Sequence, residues 1–246
     1  MRALLGSGGF RTDERRELLV QTMREFFGDV GSILFVPYAL ADHDGYLDLM
    51  REKGLDAGYR LDGIHTHDNP VAAVKEAQAI YVGGGNTFRL IRQLHELNLV
   101  ETIRNRVRSG EAAYMGVSAG ANAACPTMQT TNDMPITYPP SFNAIDLVPF
   151  QINAHYYPGQ VHFKSDDGSI EEHFGETRDL RIQEVHEMND AAVVGLYEGA
   201  MLLVEGDRVS LRGGPARIFR RQQEPEDVTP GADLSALLSN GTADRG

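Results

Sequence analysis

The sequence is poor in cysteine, in basic residues and in long apolar runs, and each shortage excludes a class of protein. The single cysteine, Cys125, cannot form an internal disulfide, and it fits a reducing compartment. Lysine and arginine total 23 against 35 acidic residues, and the resulting net charge of −12 argues against nucleic-acid binding. No apolar run approaches the roughly 20 residues that cross a bilayer, and the residues before Gly6 make no secretory signal. We therefore expect a cytoplasmic protein with neither a membrane nor a nucleic-acid partner.

The 246 residues, 41% of them hydrophobic, suffice for one sizeable core. Short apolar runs alternate with longer amphipathic ones through the first half, a pattern typical of βαβ units and a parallel sheet. Several short neighbouring strands in the second half predict an antiparallel extension of that sheet. We expect a single α/β domain over residues 1–221, with helices flanking a mostly parallel sheet. A polar, mobile tail over 222–246 follows, with a turn at 234–238.

Individual elements follow from hydrophobic periodicity and from proline and glycine positions. The predicted strands cover residues 2–5, 32–37, 59–64, 79–82, 112–117, 150–156, 193–197, 201–205 and 216–220. The predicted helices cover residues 13–27, 42–54, 87–97, 100–109 and 176–188, and a short one begins at Pro70.

The segment GVSAG (residues 116–120) fits G-x-S-x-G and directly follows a predicted strand. In this pattern Ser118 occupies a tight turn between a strand and a helix. The turn exposes its hydroxyl, and the Ala119 N–H points to the same place. A serine that caps a helix between packing glycines gives the same pattern, so both interpretations stay open. A nucleophile also needs a base, an orienting acid and an oxyanion hole.

A second glycine-rich segment, GGGNT (residues 83–87), lies between a predicted strand and a predicted helix. No lysine follows its glycines and G-x-G-x-x-G is absent, which excludes the two common phosphate-binding patterns. Three glycines let backbone N–H groups approach a negative charge closely, and in acyl transfer that charge is the oxyanion. A tight turn without a ligand is the alternative. We interpret the shorter segment GSGG (residues 6–9) as a turn only.

Eight histidines compete for the role of base. His155 ends an apolar run, where a sheet could hold it at its carboxyl edge beside the serine. His65 and His67 alternate as metal ligands can, but no third ligand follows at a recognisable spacing, so we predict no metal site. For the acid, Asp133 and Glu198 both remain open, because periodicity does not choose between them.

Six segments together resemble the peptidase E family of cytoplasmic α-aspartyl dipeptidases: GGGNT, GVSAGAN, CPTMQTTNDMPI, QINAHY, GETRDLRI and GLYEG. The likeness runs in order from the first strand to about Phe219, and residues 116–136 are its most specific part. The family consists of serine hydrolases with a fold similar to class I glutamine amidotransferases. It cleaves dipeptides that begin with aspartate and needs no metal. The resemblance therefore implies that fold, an Asp-X dipeptide as the substrate partner, and no cofactor.

The resemblance also implies residue roles. Ser118 matches the nucleophile, His155 the general base and Glu198 the third member of the triad. Asp133 matches an aspartate with an active-site role, so it is kept as an alternative orienting acid and as a partner for the substrate's ammonium group.

Further positions are expected to bind the substrate or the oxyanion. Gly84 or Gly85, together with Ala119, would supply the oxyanion hole through backbone N–H groups. Asn86, which follows the glycines, is expected to contact the substrate. Arg178 in GETR matches a family arginine suspected of binding the aspartyl side chain, because a planar cation suits a carboxylate. The alternative for Arg178 is a surface residue paired with the acidic residue at position 176 or 179.

Two departures from the family pattern concern the second half. The stretch 157–174 is longer than the family's usual connection, and the chain beyond residue 221 has no family match. Two other functions stay open: a hydrolase of β-linked or cyanophycin-like aspartyl bonds, and a non-enzymatic, sensor-like protein whose GGGNT turn binds an anion. We expect a monomer or a homodimer.

Overall fold

The computed structural model describes residues 1–241. The first half contains β1 (Arg2–Gly6), α1 (Asp13–Phe27), β2 (Ile33–Val36), α2 (His43–Glu52), β3 (Leu61–Gly63), α3 (Pro70–Glu76), β4 (Ala79–Val82), α4 (Thr87–Glu96), α5 (Leu99–Arg108), β5 (Ala113–Val117) and α6 (Ala119–Ala123). The second half contains β6 (Gln151–Asn153), β7 (His162–Lys164), β8 (Ile170–Glu172), α7 (Arg178–Met188), β9 (Val193–Leu196), β10 (Met201–Glu205), β11 (Arg208–Arg212), β12 (Ala216–Phe219) and β13 (Glu226–Val228). Short 3₁₀ helices cover Ile64–Thr66 and Ser235–Gly241. Within residues 1–241, none of the helices has the length and apolar character to cross a bilayer.

The main sheet has the strand order β11-β10-β1-β5-β4-β2-β3. Strands β1, β5, β4, β2 and β3 run parallel, and β10 and β11 add an antiparallel edge beside β1. Alternate side chains of β2 show how both faces are buried: Leu34 and Val36 pack with helices α3 to α6, while Ile33 and Phe35 pack with α1 and α2. The predicted fold class, a single α/β domain with a mostly parallel sheet and an antiparallel extension, is confirmed.

A second sheet, of order β13-β12-β9-β6, differs from the expected single extension. The sequence predicts the strands at 193–197, 201–205 and 216–220 as neighbours, but β9 and β12 leave the main sheet. The chain changes sheets at residues 197–200, where Gly199 has φ +83° and the Ala200 N–H donates to the Tyr197 carbonyl over 3.0 Å. This short turn places Glu198 on the connection between the two sheets.

Five strand ends converge on one region of the fold. Because β1, β4 and β5 run parallel, their carboxyl ends share an edge of the main sheet. GSGG follows β1, GGGNT follows β4 and Ser118 follows β5. Likewise β6 and β9 are parallel, so His155 and Glu198 follow equivalent ends of the second sheet. Ligands of open α/β sheets bind outside such carboxyl ends.

The segment after residue 221, expected as a polar tail, has a structure of its own up to residue 241. β13 pairs with β12, and Leu234 and Leu237 are buried in the core. A 3₁₀ helix, Ser235–Gly241, stands where a turn at 234–238 is expected. Residues 242–246 of the expected tail lie outside the described residues, and the mobility of this segment stays a prediction.

The stretch 157–174 contains a hairpin that the sequence does not predict. β7 and β8 pair only with each other, and all of their residues are exposed. Along the chain, the hairpin lies between His155 and helix α7.

Candidate active site

Ser118 occupies a strained corner between β5 and α6. Its φ of 56° and ψ of −112° lie where residues other than glycine rarely occur. A Cβ atom on Gly116 would lie 2.2 Å from the Gly120 carbonyl oxygen, and one on Gly120 would lie 2.1 Å from the Val82 carbonyl oxygen. Both glycines of G-x-S-x-G are therefore needed for close packing. The Ser118 side chain makes no hydrogen bond that caps α6, so it is not the capping serine of the alternative interpretation.

Three side chains from distant parts of the chain form a continuous hydrogen-bond chain. Ser118 Oγ lies 2.8 Å from His155 Nε2, and His155 Nδ1 lies 2.8 Å from Glu198 Oε1. An ionised carboxylate only accepts, so Nδ1 carries the imidazole proton and Nε2 accepts from the Ser118 hydroxyl. Glu198, and not Asp133, therefore contacts the imidazole. The geometry is that of a nucleophile, a base and an orienting acid.

The GSGG turn, predicted as a turn only, holds the backbone and side chain of His155 in place. Ser7 is fully buried, and its hydroxyl donates to the Leu196 carbonyl over 2.9 Å. The same oxygen accepts the backbone N–H of His155 over 2.8 Å. His155 has a φ of 56°, an uncommon conformation that needs such support. Ser7 therefore links the His155 backbone to Leu196 at the end of β9, two residues before Glu198.

The two following glycines make room for the imidazole and the carboxylate. A Cβ atom on Gly8 would lie 2.6 Å from His155 Cε1, and one on Gly9 would lie 2.2 Å from Glu198 Oε2. Both glycines have positive φ, at 128° and 73°. The sequence does contain a signal for this role of GSGG, because it follows a predicted strand, as GGGNT does.

The GGGNT turn also lies against Ser118. A Cβ atom on Gly84 would lie 3.0 Å from Ser118 Cβ, and one on Gly85, with φ 137°, would lie 2.6 Å from the Ala39 carbonyl oxygen. The Gly84 backbone interacts with the Tyr46 hydroxyl, and burial raises the pKa of that phenol to about 12. A side chain at position 85 would clash with backbone, and at position 84 the backbone itself lies close to Ser118.

Asp133 and Asn86 fasten one loop to the N-terminus of α4. Asp133 Oδ2 accepts from the Thr87 N–H over 2.7 Å, from the Thr87 hydroxyl over 2.6 Å and from the Thr131 hydroxyl over 3.0 Å. Asn86 caps α4 with its Oδ1 and donates through Nδ2 to the Met134 carbonyl over 2.9 Å. These contacts hold the segment directly after the GGGNT glycines. Direct contact of Asn86 with a substrate stays a prediction.

Arg178 is half-buried in the first turn of α7. Its Nη1 donates to Asn132 Oδ1, and its guanidinium carbon lies 5.2 Å from the centroid of the Tyr157 ring. Burial lowers the pKa of this arginine, and the charge of the neighbouring Arg181 lowers it further. A half-buried guanidinium is stabilised when it binds a negatively charged ligand.

The alternative partners of Arg178 are engaged elsewhere. Glu176 Oε2 lies 3.2 Å from Arg181 Nε. Asp179 accepts from the Tyr156 hydroxyl over 2.6 Å and lies 3.4 Å from an Arg217 nitrogen. In the part of the chain that the structure describes, no carboxylate lies within ion-pair distance of Arg178. It is therefore not the salt-bridged surface arginine of the alternative interpretation.

The two alternating histidines do not share a partner. His65 Nε2 lies 2.9 Å from Asp44 Oδ1, and His67 Nε2 lies 3.1 Å from Asp62 Oδ1. Over residues 1–241, no three histidine, cysteine or acidic side chains are grouped as metal ligands.

The chain is similar in sequence to known proteins over most of its length. The sequence model described as "Peptidase family S51" matches residues 3–212. The protein named "Peptidase E" from Streptomyces coelicolor is 48% identical over 223 residues, which cover 90% of this chain and 88% of that protein. The protein named "Probable alpha-aspartyl dipeptidase" from Drosophila melanogaster is 44% identical over 211 residues, or 85% of each.

Two solved structures share the fold. A peptidase from an acI-B1 Actinobacterium has a TM-score of 0.65 at 18% identity and covers 95% of this chain and 96% of its own. A putative peptidase E from Listeria monocytogenes EGD-e has a TM-score of 0.58 at 20% identity, with coverage of 86% and 98%. At these identities the likeness concerns the fold alone.

Proposed function

The chain belongs to peptidase family S51, and from that premise we propose that it is a serine-type α-aspartyl dipeptidase acting on Asp-X dipeptides. One observation carries the proposal: the two 2.8 Å hydrogen bonds that join Ser118, His155 and Glu198. A capping serine or an anion-binding turn would not require this arrangement.

The reaction begins with proton transfer from the Ser118 hydroxyl to His155 Nε2 as the oxygen attacks the peptide carbonyl. Glu198 holds the imidazole in the tautomer whose Nε2 is free to accept, and it stabilises the imidazolium that forms. His155 then gives the proton to the leaving amine, and the second residue of the dipeptide departs.

The negative charge on the tetrahedral intermediate requires preorganised donors. Ala119 supplies one N–H, because the first N–H groups of a helix have no intrahelical acceptor. Gly84 or Gly85 supplies the second, because the GGGNT turn brings its backbone close to Ser118. Water, activated by His155, hydrolyses the aspartyl ester on Ser118 and restores the enzyme.

Selection of the aspartyl residue falls to charged groups beside the triad. Arg178 binds the side-chain carboxylate, and the absence of an acidic partner among the described residues supports this role. Asp133 binds the substrate's ammonium group through Oδ1, since its threonine partners use Oδ2. A cytoplasmic location and a monomeric or homodimeric state belong to the same proposal.

A labelling experiment tests the proposal. A serine-directed phosphonate should modify Ser118, identified by peptide mapping, and Ser118→Ala should lower turnover of α-Asp-Leu by about a millionfold. Retained turnover in that variant would remove Ser118 from the mechanism. Preference for β-Asp-Leu over α-Asp-Leu would instead retain the nucleophile and correct the substrate.

A further inference from the structure

The neutral side-chain amide of Asn132 binds the guanidinium of Arg178, the cation that the proposed function places against the substrate. Arg178 Nη1 donates to the side-chain oxygen of Asn132, and no carboxylate pairs with the guanidinium in the described part of the chain. An amide oxygen accepts a hydrogen bond without neutralising the donor. The positive charge of Arg178 therefore stays available to a ligand.

The orientation of the Asn132 amide is fixed by its neighbours. Its Nδ2 donates to the Ala154 carbonyl over 2.8 Å, and its Oδ1 also accepts from Asn153 Nδ2 over 3.0 Å. A guanidinium only donates and a carbonyl only accepts, so exchanging the amide nitrogen and oxygen would break these contacts. Ala154 directly precedes His155. One side chain thus sets the position of Arg178 relative to the catalytic base.

Arg178 retains donors that no protein group uses. Its Nε is buried and has no hydrogen-bond partner. The Tyr157 ring covers the guanidinium at 5.2 Å. A buried unpaired N–H of a charged group is unfavourable, and the donors of one guanidinium edge match the two oxygens of a carboxylate.

We propose that Asn132 is a positioning residue that sets the preference for an aspartyl side chain, because it aims Arg178 and leaves its charge free for the substrate's carboxylate. This inference rests on the proposed function, which assigns the aspartyl carboxylate to Arg178. An acidic residue at position 132 would hold the arginine equally well, but it would compete with the substrate.

Two substitutions at position 132 distinguish the orientation of Arg178 from the availability of its positive charge. Asn132→Asp keeps the size of the side chain and pairs a carboxylate with Arg178. Asn132→Ala removes the acceptor and leaves the charge unpaired and less well aimed. Gln183→Glu, at an exposed position on α7, adds the same negative charge without touching Arg178 and serves as the matched control.

Calorimetric titration in the catalytically inactive Ser118→Ala background gives Kd values for Asp-Leu and for its neutral isostere Asn-Leu. We expect Asn132→Asp to weaken Asp-Leu binding by about 10- to 100-fold, the range of a lost charged hydrogen bond, and Asn-Leu binding by less than about threefold. Asn132→Ala should weaken Asp-Leu binding by about 10-fold. Gln183→Glu should change neither constant.

The outcomes distinguish the role of Asn132 from the proposed substrate. Equal weakening of both dipeptides, or an unchanged preference in either Asn132 variant, would overturn the role of Asn132. Failure of the Ser118→Ala protein itself to prefer Asp-Leu would overturn the proposed substrate instead. Thermal unfolding of each variant identifies a folding defect, and if Asn132→Asp does not fold, Asn132→Ala decides.

Discussion

The turns after β1 and β4 are alike in sequence and differ in what they hold. Both are glycine-rich, and both leave the carboxyl edge of the main sheet. GSGG (residues 6–9) packs against the side chains of His155 and Glu198, whereas GGGNT (residues 83–87) brings its backbone against Ser118. Glycines at such an edge therefore need not bind a ligand. They can also leave space for side chains from other parts of the chain, here those of His155 and Glu198.

The largest effect is expected from Gly9→Ala, which tests whether GSGG serves the triad. The new Cβ would lie 2.2 Å from Glu198 Oε2, so the carboxylate must move away from His155. Loss of the orienting acid lowers kcat by up to about 10⁴-fold in serine hydrolases. Steady-state turnover of Asp-Leu measures the effect.

Gly110→Ala is the matched control for Gly9→Ala. Gly110 also has positive φ, at 82°, but a Cβ there would meet nothing within 4 Å. It therefore reports backbone strain alone, about 1–2 kcal/mol of stability with unchanged turnover. Wild-type turnover in Gly9→Ala would show that Glu198 tolerates the added methyl group, and it would end the proposed distinction between the turns.

A smaller effect is expected from Gly85→Ala in the other turn. Here the clash is with backbone, 2.6 Å from the Ala39 carbonyl oxygen, so the loop and its N–H groups must shift. Loss of one oxyanion donor lowers kcat by about 100- to 1000-fold. Because the oxyanion forms only as the reaction proceeds, KM for Asp-Leu should change little. A KM increase with unchanged kcat would mean that GGGNT binds the ground state, as the anion-binding alternative supposes.

The sequence predicts the first half of the fold better than the second, and the reason is physical. Strands buried on both faces leave apolar runs, and the predicted strand at 79–82 coincides with β4. β7 and β8 are exposed on all their residues, so no hydrophobic signal marks them. β11 alternates polar residues with only two buried apolar ones over five positions, a short signal that the sequence prediction does not include.

The site divides in the same way. Local pattern singles out Ser118 and His155, because each ends a predicted strand. The choice between Glu198 and Asp133 depends on the change of sheet at residues 197–200, which periodicity does not encode. The role of Ser7 depends on a contact 148 residues along the chain.

The smallest effect is expected from Ser7→Ala, which sharpens the comparison to a single hydrogen bond. The substitution removes the acceptor of the His155 N–H and the donor to the Leu196 carbonyl, while both glycines remain. Each buried group left unpaired costs about 1–3 kcal/mol, so the melting temperature should fall. We expect kcat to fall by about 10-fold, because the imidazole keeps its contact with Glu198 but the His155 backbone loses its hydrogen bond to Ser7.

Ser7→Cys, a closer match in size with weak hydrogen bonding, should give an intermediate value of kcat. If both variants lose stability at full turnover, Ser7 only supports the fold, and the glycines alone account for what this turn does for the triad.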